Sequence, residues 1–295
     1  MTFDNRAKGI IEAIVSSASF GLIPLFTIPV MSAGMALPSF LVYRFAFGCL
    51  FMLAILIYRH ENMHIKFGDT LRIAFLSSLY AVSAICLISG YSYMASGIAT
   101  TLLFSYPVWT AILMMIFCHE KATLHSAIAI VLAVGGVFLL SGIDRGFNIS
   151  SVIGLLLELA AGLTYAIYMV AFPHLRIRRM ESLKLTFYVF FYAMIILMLY
   201  SLFSTGKLDT IHTNGQWINL ALIGLLPTAL SNVTLIMSLK RISSTMVAIL
   251  GAFEPLTAMA IGIIVFGEPL TISVTAGFAM IISAVILLII NVSSG

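Results

Sequence analysis

Long apolar runs separated by short polar connections occupy almost the whole chain. Bounded by charged and turn residues, they predict ten membrane spans at about 9–31, 38–58, 71–92, 97–117, 124–141, 152–172, 185–203, 217–238, 245–266 and 271–291. Each run allows a helix to cross a hydrocarbon layer about 30 Å thick. No connection is long enough to form a soluble domain. The pattern therefore predicts an all-α membrane protein with ten transmembrane helices.

The ninth predicted span carries an acid followed by a proline near its centre, Glu254 and Pro255. An ionisable side chain at that depth in a bilayer is costly and indicates a functional role. Proline has no N–H to donate to the carbonyl of Gly251, so we expect a kink there and a free acceptor beside the carboxyl group. This part of the span should therefore face protein or a water-filled cavity.

The second half of the chain repeats the first with an offset of 148 residues. Under this offset Ser96 coincides with Ser244, Pro107 with Pro255, Glu120 with Glu268, and Thr123 with Thr271. Proline, glutamate and threonine at fixed spacing are a more demanding coincidence than scattered apolar identities. We predict two five-helix repeats, 1–148 and 149–295. Because each half has an odd number of spans, the repeats are inverted, an arrangement that places a site near the midplane where discontinuous helices meet.

Composition and charge agree with this class of protein. Hydrophobic residues make up 61% of the chain and charged residues 9%, against about 25% charged in a soluble domain. With the N-terminus inside, twelve basic residues fall on the cytoplasmic side: Arg6, Lys8, Arg59, Lys66, Arg72, Lys121, Arg176, Arg178, Arg179, Lys184, Lys240 and Arg241. Only Arg145 and Lys207 fall on the other side. The positive-inside rule therefore places both termini in the cytoplasm and explains the basic charge without a nucleic-acid partner.

Motifs of enzymes and nucleotide-binding proteins are missing from the chain. It contains no Walker A loop, no GxGxxG, no HExxH and no CxxC, and these are the motifs that would indicate phosphate, dinucleotide or metal chemistry. Transport of a small-molecule solute is therefore the leading hypothesis. A membrane-embedded transferase and a non-transporting scaffold or sensor are the alternatives from other classes.

Besides Glu254, two charged residues lie more than five residues inside a predicted span. Arg44 is seven residues into the second span, and it either snorkels to the outer interface or pairs with a solute carboxylate, Glu158 or Glu254. Glu158 shares a helical face with Gly162 and Tyr165. A face that mixes an acid, a small residue and an aromatic ring is not typical of lipid contact, so Glu158 either lines a cavity or bonds to another helix.

Aromatic and amide side chains at depth supply further candidates. Tyr80 lies in the third span, Tyr106 and Trp109 share a face of the fourth, and Tyr165 lies in the sixth. Buried hydroxyl groups need partners, and the walls of a solute path would supply them; ordinary core packing is the alternative. Asn232 is a candidate solute-binding residue in the eighth span, where hydrogen bonding between helices is the common use of such side chains.

Three roles compete for Glu254. The carboxylate could bind the ammonium group of an amino-acid-like solute, or carry a proton whose release is coupled to opening. The third role is structural, with a protonated carboxyl group bonded to the carbonyl that Pro255 leaves free. Pro107, Pro255 and Gly251 are the candidates for a kink or gate.

Several of these features resemble the drug/metabolite transporter superfamily, specifically the bacterial EamA-type transporters. They are the Phe20-Gly21 and Tyr165-Ala166 pairs in the first helix of each half, Arg44 in the second helix, and the segments Pro107 to Glu120 and Pro255 to Glu268. The chain departs from the pattern at Phe20, where Trp is frequent, and at Tyr106, where an acid is frequent.

The resemblance implies an inner-membrane carrier with ten helices and no cofactor. Members of the family export amino acids, other small metabolites or drugs, and the aromatic cavity of the amino-acid exporters is similar to the set formed by Tyr80, Tyr106, Trp109 and Tyr165. We therefore expect a secondary transporter or facilitator that exports a small amphipathic metabolite by rocking of the two repeats. Proton coupling and the choice between monomer and homodimer stay open at this point.

Overall fold

The structure of the 295-residue chain is a computed structural model. It describes residues 3–117 and 149–293, together with residues 128, 131–132, 134–136 and 139. The described part of the first half contains α1 (Phe3–Phe20), α2 (Ile23–Ser32), α3 (Leu37–Tyr58), α4 (Phe67–Gly90), α5 (Ser96–Leu103) and α6 (Tyr106–Phe117).

The second half is helical in the same way. It contains α7 (Ile149–His174), α8 (Ser182–Thr205), α9 (Asn214–Ile223), a π-helical segment (Gly224–Leu230), α10 (Ser231–Arg241), α11 (Ser244–Leu250), α12 (Phe253–Phe266) and α13 (Ile272–Ser293). A short 3-10 helix, Arg176–Arg179, joins α7 to α8. The described residues contain no β-strand.

Seven helical stretches are long and apolar enough to cross a membrane. They are Asn5–Ser32, Leu37–Tyr58, Phe67–Gly90, Ser96–Phe117, Val152–His174, Ser182–Thr205 and Asn214–Arg241. Phe253–Phe266 and Ile272–Ala284 are shorter apolar helices. The prediction of an all-helical, multi-pass membrane protein is confirmed, whereas most of the predicted fifth span, 124–141, lies outside the described residues.

Large apolar side chains on the outside of the bundle suit a lipid environment. Phe67, Phe203, Ile264 and Ile272 expose most of their surface to the surroundings of the protein. In water such residues would form a costly surface, but hydrocarbon tails are as apolar as the side chains themselves. The polar groups are correspondingly concentrated in the interior of the bundle and at the helix ends.

The fourth and ninth predicted spans are both broken at matching points. α5 ends at Leu103 and α6 begins at Tyr106; α11 ends at Leu250 and α12 begins at Phe253. Pro107 and Pro255 lie in the first turn of the new helix in each case, where a missing N–H costs no intrahelical bond. The two spans are therefore discontinuous helices that restart near the same depth of the repeat.

The break in the ninth span corrects one expectation. The N–H of Glu254 donates to the carbonyl of Gly251 at 2.8 Å, so this carbonyl is not left free beside the carboxyl group. The shortened turn replaces the bond that Pro255 cannot make. The structural role in which the Glu254 side chain bonds to a free Gly251 carbonyl is accordingly wrong.

Helices from the two halves pack against each other in a regular order. Extensive pairs include α1 with α10, α3 with α8, α4 with α7, and α5 with α12. An ion pair between Glu12 and Arg241, at 3.0 Å, joins α1 to α10. In the predicted repeat, α1 corresponds to α7 and α4 to the span that contains α10. Exchanging the halves therefore turns the first pair into the third, leaves the pair of α3 and α8 unchanged, and turns the pair of α5 and α12 into α6 and α11, which also pack against each other.

Candidate functional site

Seven of the predicted site residues are buried in the bundle, and contacts link most of them into one cluster. This central cluster consists of Arg44, Tyr80, Tyr106, Glu158, Tyr165, Asn232 and Glu254. Its members come from both halves of the chain. Their surroundings decide what each of them can do.

Arg44 lies in the interior of the bundle, with 1% of its surface exposed. Its Nε donates to the hydroxyl of Thr228 at 3.0 Å. Its guanidinium carbon lies 5.8 Å from the ring centre of Phe20 and 5.6 Å from that of Phe45. No group among the described residues accepts a hydrogen bond from Nη1 or Nη2. Of the two alternatives for Arg44, snorkelling to the interface is therefore wrong.

Tyr80 and Asn232 connect α4 to α10 inside the cluster. The amide nitrogen of Asn232 donates to the Tyr80 hydroxyl at 2.9 Å and to the carbonyl of Thr228 at 3.0 Å. The amide oxygen of Asn232 has no hydrogen-bond partner among the described groups. The amide therefore stabilises the helix pairing, as expected of such residues, and keeps an acceptor available for another donor.

Aromatic rings form a continuous wall through the cluster. The Tyr165 ring packs on Phe20 at a centroid distance of 6.0 Å and on Tyr168 at 6.1 Å. It meets Tyr106 edge to face at 5.0 Å and Tyr80 at 6.2 Å. Tyr165 is thus the ring that connects the environment of Arg44 to that of Glu254.

Glu254 follows the break of the ninth span and exposes 2% of its surface. Its carboxyl group is hydrogen bonded to the hydroxyl of Tyr106. The oxygen Oε1 has no partner among the described groups. Only Gly251 and Ala252 separate α11 from α12, so this side chain lies directly after the break.

Glu158 is fully buried on α7, and neither carboxyl oxygen has a hydrogen-bond partner within the described part of the chain. It fills a notch beside Gly90, where a Cβ would overlap Oε1. It is also close enough to Glu254 for the two carboxyl groups to interact electrostatically. Glu158 is therefore held against the end of α4.

Trp109 differs from the other predicted residues. It is only partly buried, and among the described residues it makes no ring contact with the cluster. Its indole N–H is buried and has no partner in the same part of the structure. Trp109 lies one turn after Tyr106 on α6, so the shared face predicted from the sequence does not bring its ring to the wall.

Known proteins were compared with this chain. Residues 7–142 and 152–290 each match the EamA-like transporter family. The chain belongs to this family. An uncharacterised transporter of Archaeoglobus fulgidus is 26% identical over 247 residues, which cover 75% of this chain and 87% of the relative. A protein of known crystal structure has the same fold, with a TM-score of 0.73, 15% identity, and coverage of 96% of this chain and 98% of the other.

Membership confirms the resemblance to the drug/metabolite transporter superfamily, and this EamA-family protein is a membrane transporter. The family model matches twice, once in each half of the chain. Among the described residues no group of three or more His, Cys, Asp or Glu side chains could hold a metal ion.

The structure of this EamA-family transporter adds two residues to the cluster. The Thr228 hydroxyl accepts a hydrogen bond from Arg44, 184 positions earlier. Tyr168 stacks on Tyr165 with an angle of 2° between the rings. Its position three residues after Tyr165 on one helix was the available signal. No sequence pattern indicated which buried residue Thr228 would meet.

Proposed function

We propose that this EamA-family transporter exports a small amphipathic metabolite of the amino-acid type, by alternating access at a midplane cavity. The observation that supports this function is the coexistence of two incompletely satisfied groups of opposite charge type in one buried aromatic cluster. The first group is the guanidinium of Arg44, whose Nη1 and Nη2 have no hydrogen-bond partner among the described residues. The second is the carboxyl group of Glu254, whose Oε1 has no partner among them either.

In this proposal Arg44 binds the carboxylate of the solute. A guanidinium group offers parallel N–H donors in a planar fork that matches a carboxylate. The faces of Phe20 and Phe45 lie close to the guanidinium, but they do not neutralise its charge. Burying a charge without a partner is costly, so an anionic solute group would relieve that cost.

Glu254 takes the solute's ammonium group or, in its absence, a proton. The Tyr106 hydroxyl bonds to its carboxyl group, which leaves Oε1 for a cationic partner. Neither Arg44 nor another described basic residue is within ion-pair distance of Glu254. Glu158 and Asn232 would border the same cavity and supply further acceptors.

The aromatic wall separates the two charged groups and receives the apolar part of the solute. Phe20 contacts Arg44, Tyr165 contacts Phe20, and Tyr106 contacts Tyr165. A solute that carries both a carboxylate and an ammonium group would supply the missing partner of Arg44 and that of Glu254. Its side chain would lie against rings, where burial of apolar area is favourable.

The proposed transporter has ten helices arranged as two inverted repeats, 1–148 and 149–295. It lies in the inner membrane with both termini in the cytoplasm. The helix pairing that survives exchange of the halves supports the repeats, and the distribution of basic residues supports the orientation. Because the cluster is almost completely buried, solute entry requires the halves to move apart. Rocking about the breaks near Pro107 and Pro255, with Gly251 at the second, would open one end at a time.

Purified protein in liposomes tests the function. Uptake and counterflow of each amino acid are measured with and without a pH gradient, which also decides between proton coupling and facilitated diffusion. We expect flux of at least one apolar amino acid and loss of that flux in Arg44→Lys, which keeps the charge but not the fork. Absence of flux for the whole panel would refute the proposed solute class.

Glu254→Gln is the second variant in this experiment. The amide keeps a hydrogen-bonding group beside Tyr106 but does not ionise. We expect the variant to insert normally and to bind weakly or fail to transport, with its pH dependence lost. Wild-type transport from about pH 5 to about pH 8 would restrict Glu254 to a structural role.

A further inference from the structure

We infer that Thr228 is a positioning residue, which holds the guanidinium of Arg44 so that Nη1 and Nη2 face the solute carboxylate. This inference rests on the proposed function of Arg44 and identifies what gives the site its preference for carboxylates. Thr228 belongs to the second half of the chain and acts through Arg44, which belongs to the first half.

The hydrogen bond between them fixes one edge of the guanidinium. Nε of Arg44 donates to Thr228 Oγ1 at 3.0 Å, while Nη1 and Nη2 have no acceptor among the described residues. A guanidinium that is held at Nε can still present its two terminal nitrogens to a carboxylate in the bidentate geometry. The Thr228 hydroxyl therefore occupies the one edge that the solute does not need.

The backbone at Thr228 has an unusual form that suits this role. Gly224–Leu230 is π-helical between α9 and α10, and Pro227 lies inside it. Proline removes an N–H and crowds the preceding turn, and the wider π-helical turn accommodates both effects. The turn also directs Thr228 into the bundle, where it is fully buried.

Two glycines allow the helices to approach closely enough for the bond. A Cβ on Gly48 would lie 2.8 Å from Cγ2 of Thr228, and a Cβ on Gly224 would overlap the Cβ of Phe47. Gly48 lies four residues after Arg44, and Gly224 lies four residues before Thr228. The contact between Gly48 and Thr228 and the hydrogen bond between Arg44 and Thr228 therefore lie next to each other, where α3 meets the π-helical segment.

Positioning has a measurable consequence for solute preference. Without the Thr228 hydroxyl, the guanidinium can rotate about its last bonds and loses the fixed direction of its fork. Solutes that carry a carboxylate should bind more weakly, while solutes without one should be unaffected. A residue that only stabilised the helix pair would change both in the same way.

The experiment compares Thr228→Val, which keeps the shape, with Thr228→Ser, which keeps the hydroxyl. Thr234→Val is the matched control, because the partly buried Thr234 hydroxyl donates to the nearby carbonyls of Leu230 and Ser231. The probes are leucine and leucinamide, which differ only in the carboxylate. Their binding to the full-length protein in detergent is measured by competition, together with hydrogen exchange at Arg44 Nε–H in protein with isotope-labelled arginine.

We expect Thr228→Val to weaken leucine binding about fivefold, to leave leucinamide binding unchanged and to accelerate Nε–H exchange. Thr228→Ser should restore both readouts, and Thr234→Val should match the wild type. An equal effect on both probes, or Nε–H exchange that does not change, would overturn the positioning role. If the wild type binds neither probe while Thr228→Val still accelerates exchange, the positioning stands and the proposed solute class fails.

Discussion

Tyr106 and Glu254 occupy equivalent positions in the two halves, 148 residues apart, and their side chains are hydrogen bonded to each other. Each residue lies at the start of the helix that follows a break, as the first residue of α6 and the second of α12, and each precedes a proline. Two residues that are related by the repeat can meet only where the halves face each other. The Tyr106 hydroxyl and the Glu254 carboxyl group therefore meet where the two halves face each other.

Tyr106→Phe should show what this hydrogen bond contributes. The change removes the hydroxyl, so the carboxyl group of Glu254 loses its described partner in a buried site, at a cost of about 1–3 kcal/mol. We expect KM to rise about tenfold and the pH dependence of transport to shift, with little change in protein yield. The measurement is counterflow across a range of pH in liposomes. Tyr188→Phe is the control, because its hydroxyl bonds to the Met63 carbonyl away from the cluster; equal effects of both changes would argue against a special role for Tyr106.

The aromatic wall predicts different results for two residues that the sequence grouped together. Tyr165 touches Phe20, Tyr80, Tyr106 and Tyr168, whereas Trp109 makes no ring contact with the cluster among the described residues. Tyr165→Ala should lower affinity at least tenfold, because it opens a cavity at the centre of the wall. Trp109→Ala should change solute affinity less than threefold. Binding in detergent measures both, and the reverse order would remove Tyr165 from the solute path.

A second link between the halves joins Glu268 to the start of α5. The carboxylate accepts bonds from Ser96 N at 2.8 Å, from Ser96 Oγ at 2.6 Å and from Gly97 N at 3.0 Å. Gly97 and Gly262 leave space for it, since a Cβ on Gly97 would lie 2.9 Å from Oε2 and one on Gly262 would overlap it. Ser96 and Glu268 were two of the positions that revealed the repeat, and the structure shows that they bind each other.

Glu268→Ala should therefore destabilise the protein. It removes three bonds to the orphan N–H groups and side chain at a helix N-terminus, and we expect a loss of about 1–3 kcal/mol. Thermal unfolding in detergent measures the effect as a lower midpoint. Glu181→Ala supplies a comparison, because Glu181 caps α8 with a single bond to Lys184 N at an exposed site. A midpoint for Glu268→Ala no lower than that for Glu181→Ala would show that the link is dispensable.

The proposed orientation is tested by labelling introduced cysteines. After replacement of Cys49, Cys86 and Cys118, single cysteines at Arg178 and Lys207 place one thiol at an exposed position in each of two opposite sets of loops. A membrane-impermeant maleimide should label position 207 in intact cells and position 178 only after the membrane is opened. Labelling of position 178 from outside would reverse the topology.

The sequence by itself determined the protein's class and much of its plan. Hydrophobic runs are local, so they identified the described spans, and the proline at 255 indicated a break in the ninth span. Ser96, Pro107 and Glu268 indicated the repeat, and the segments around them carried the family resemblance. These features can be predicted from the sequence because hydropathy, backbone chemistry and residue spacing are local properties of the chain.

Only the tertiary structure decided which faces meet. The sequence allowed Arg44 either to snorkel to the interface or to pair with a solute carboxylate or an acid. The close approach of Gly48 to Thr228 places Arg44 in the interior beside a hydroxyl. Trp109 shared a helical face with Tyr106, yet helix packing left it away from the ring wall. Partners such as Arg44 and Thr228 lie 184 residues apart, and their contact depends on the shapes of two helices at once. Periodicity along one helix contains no information about the shape of the other.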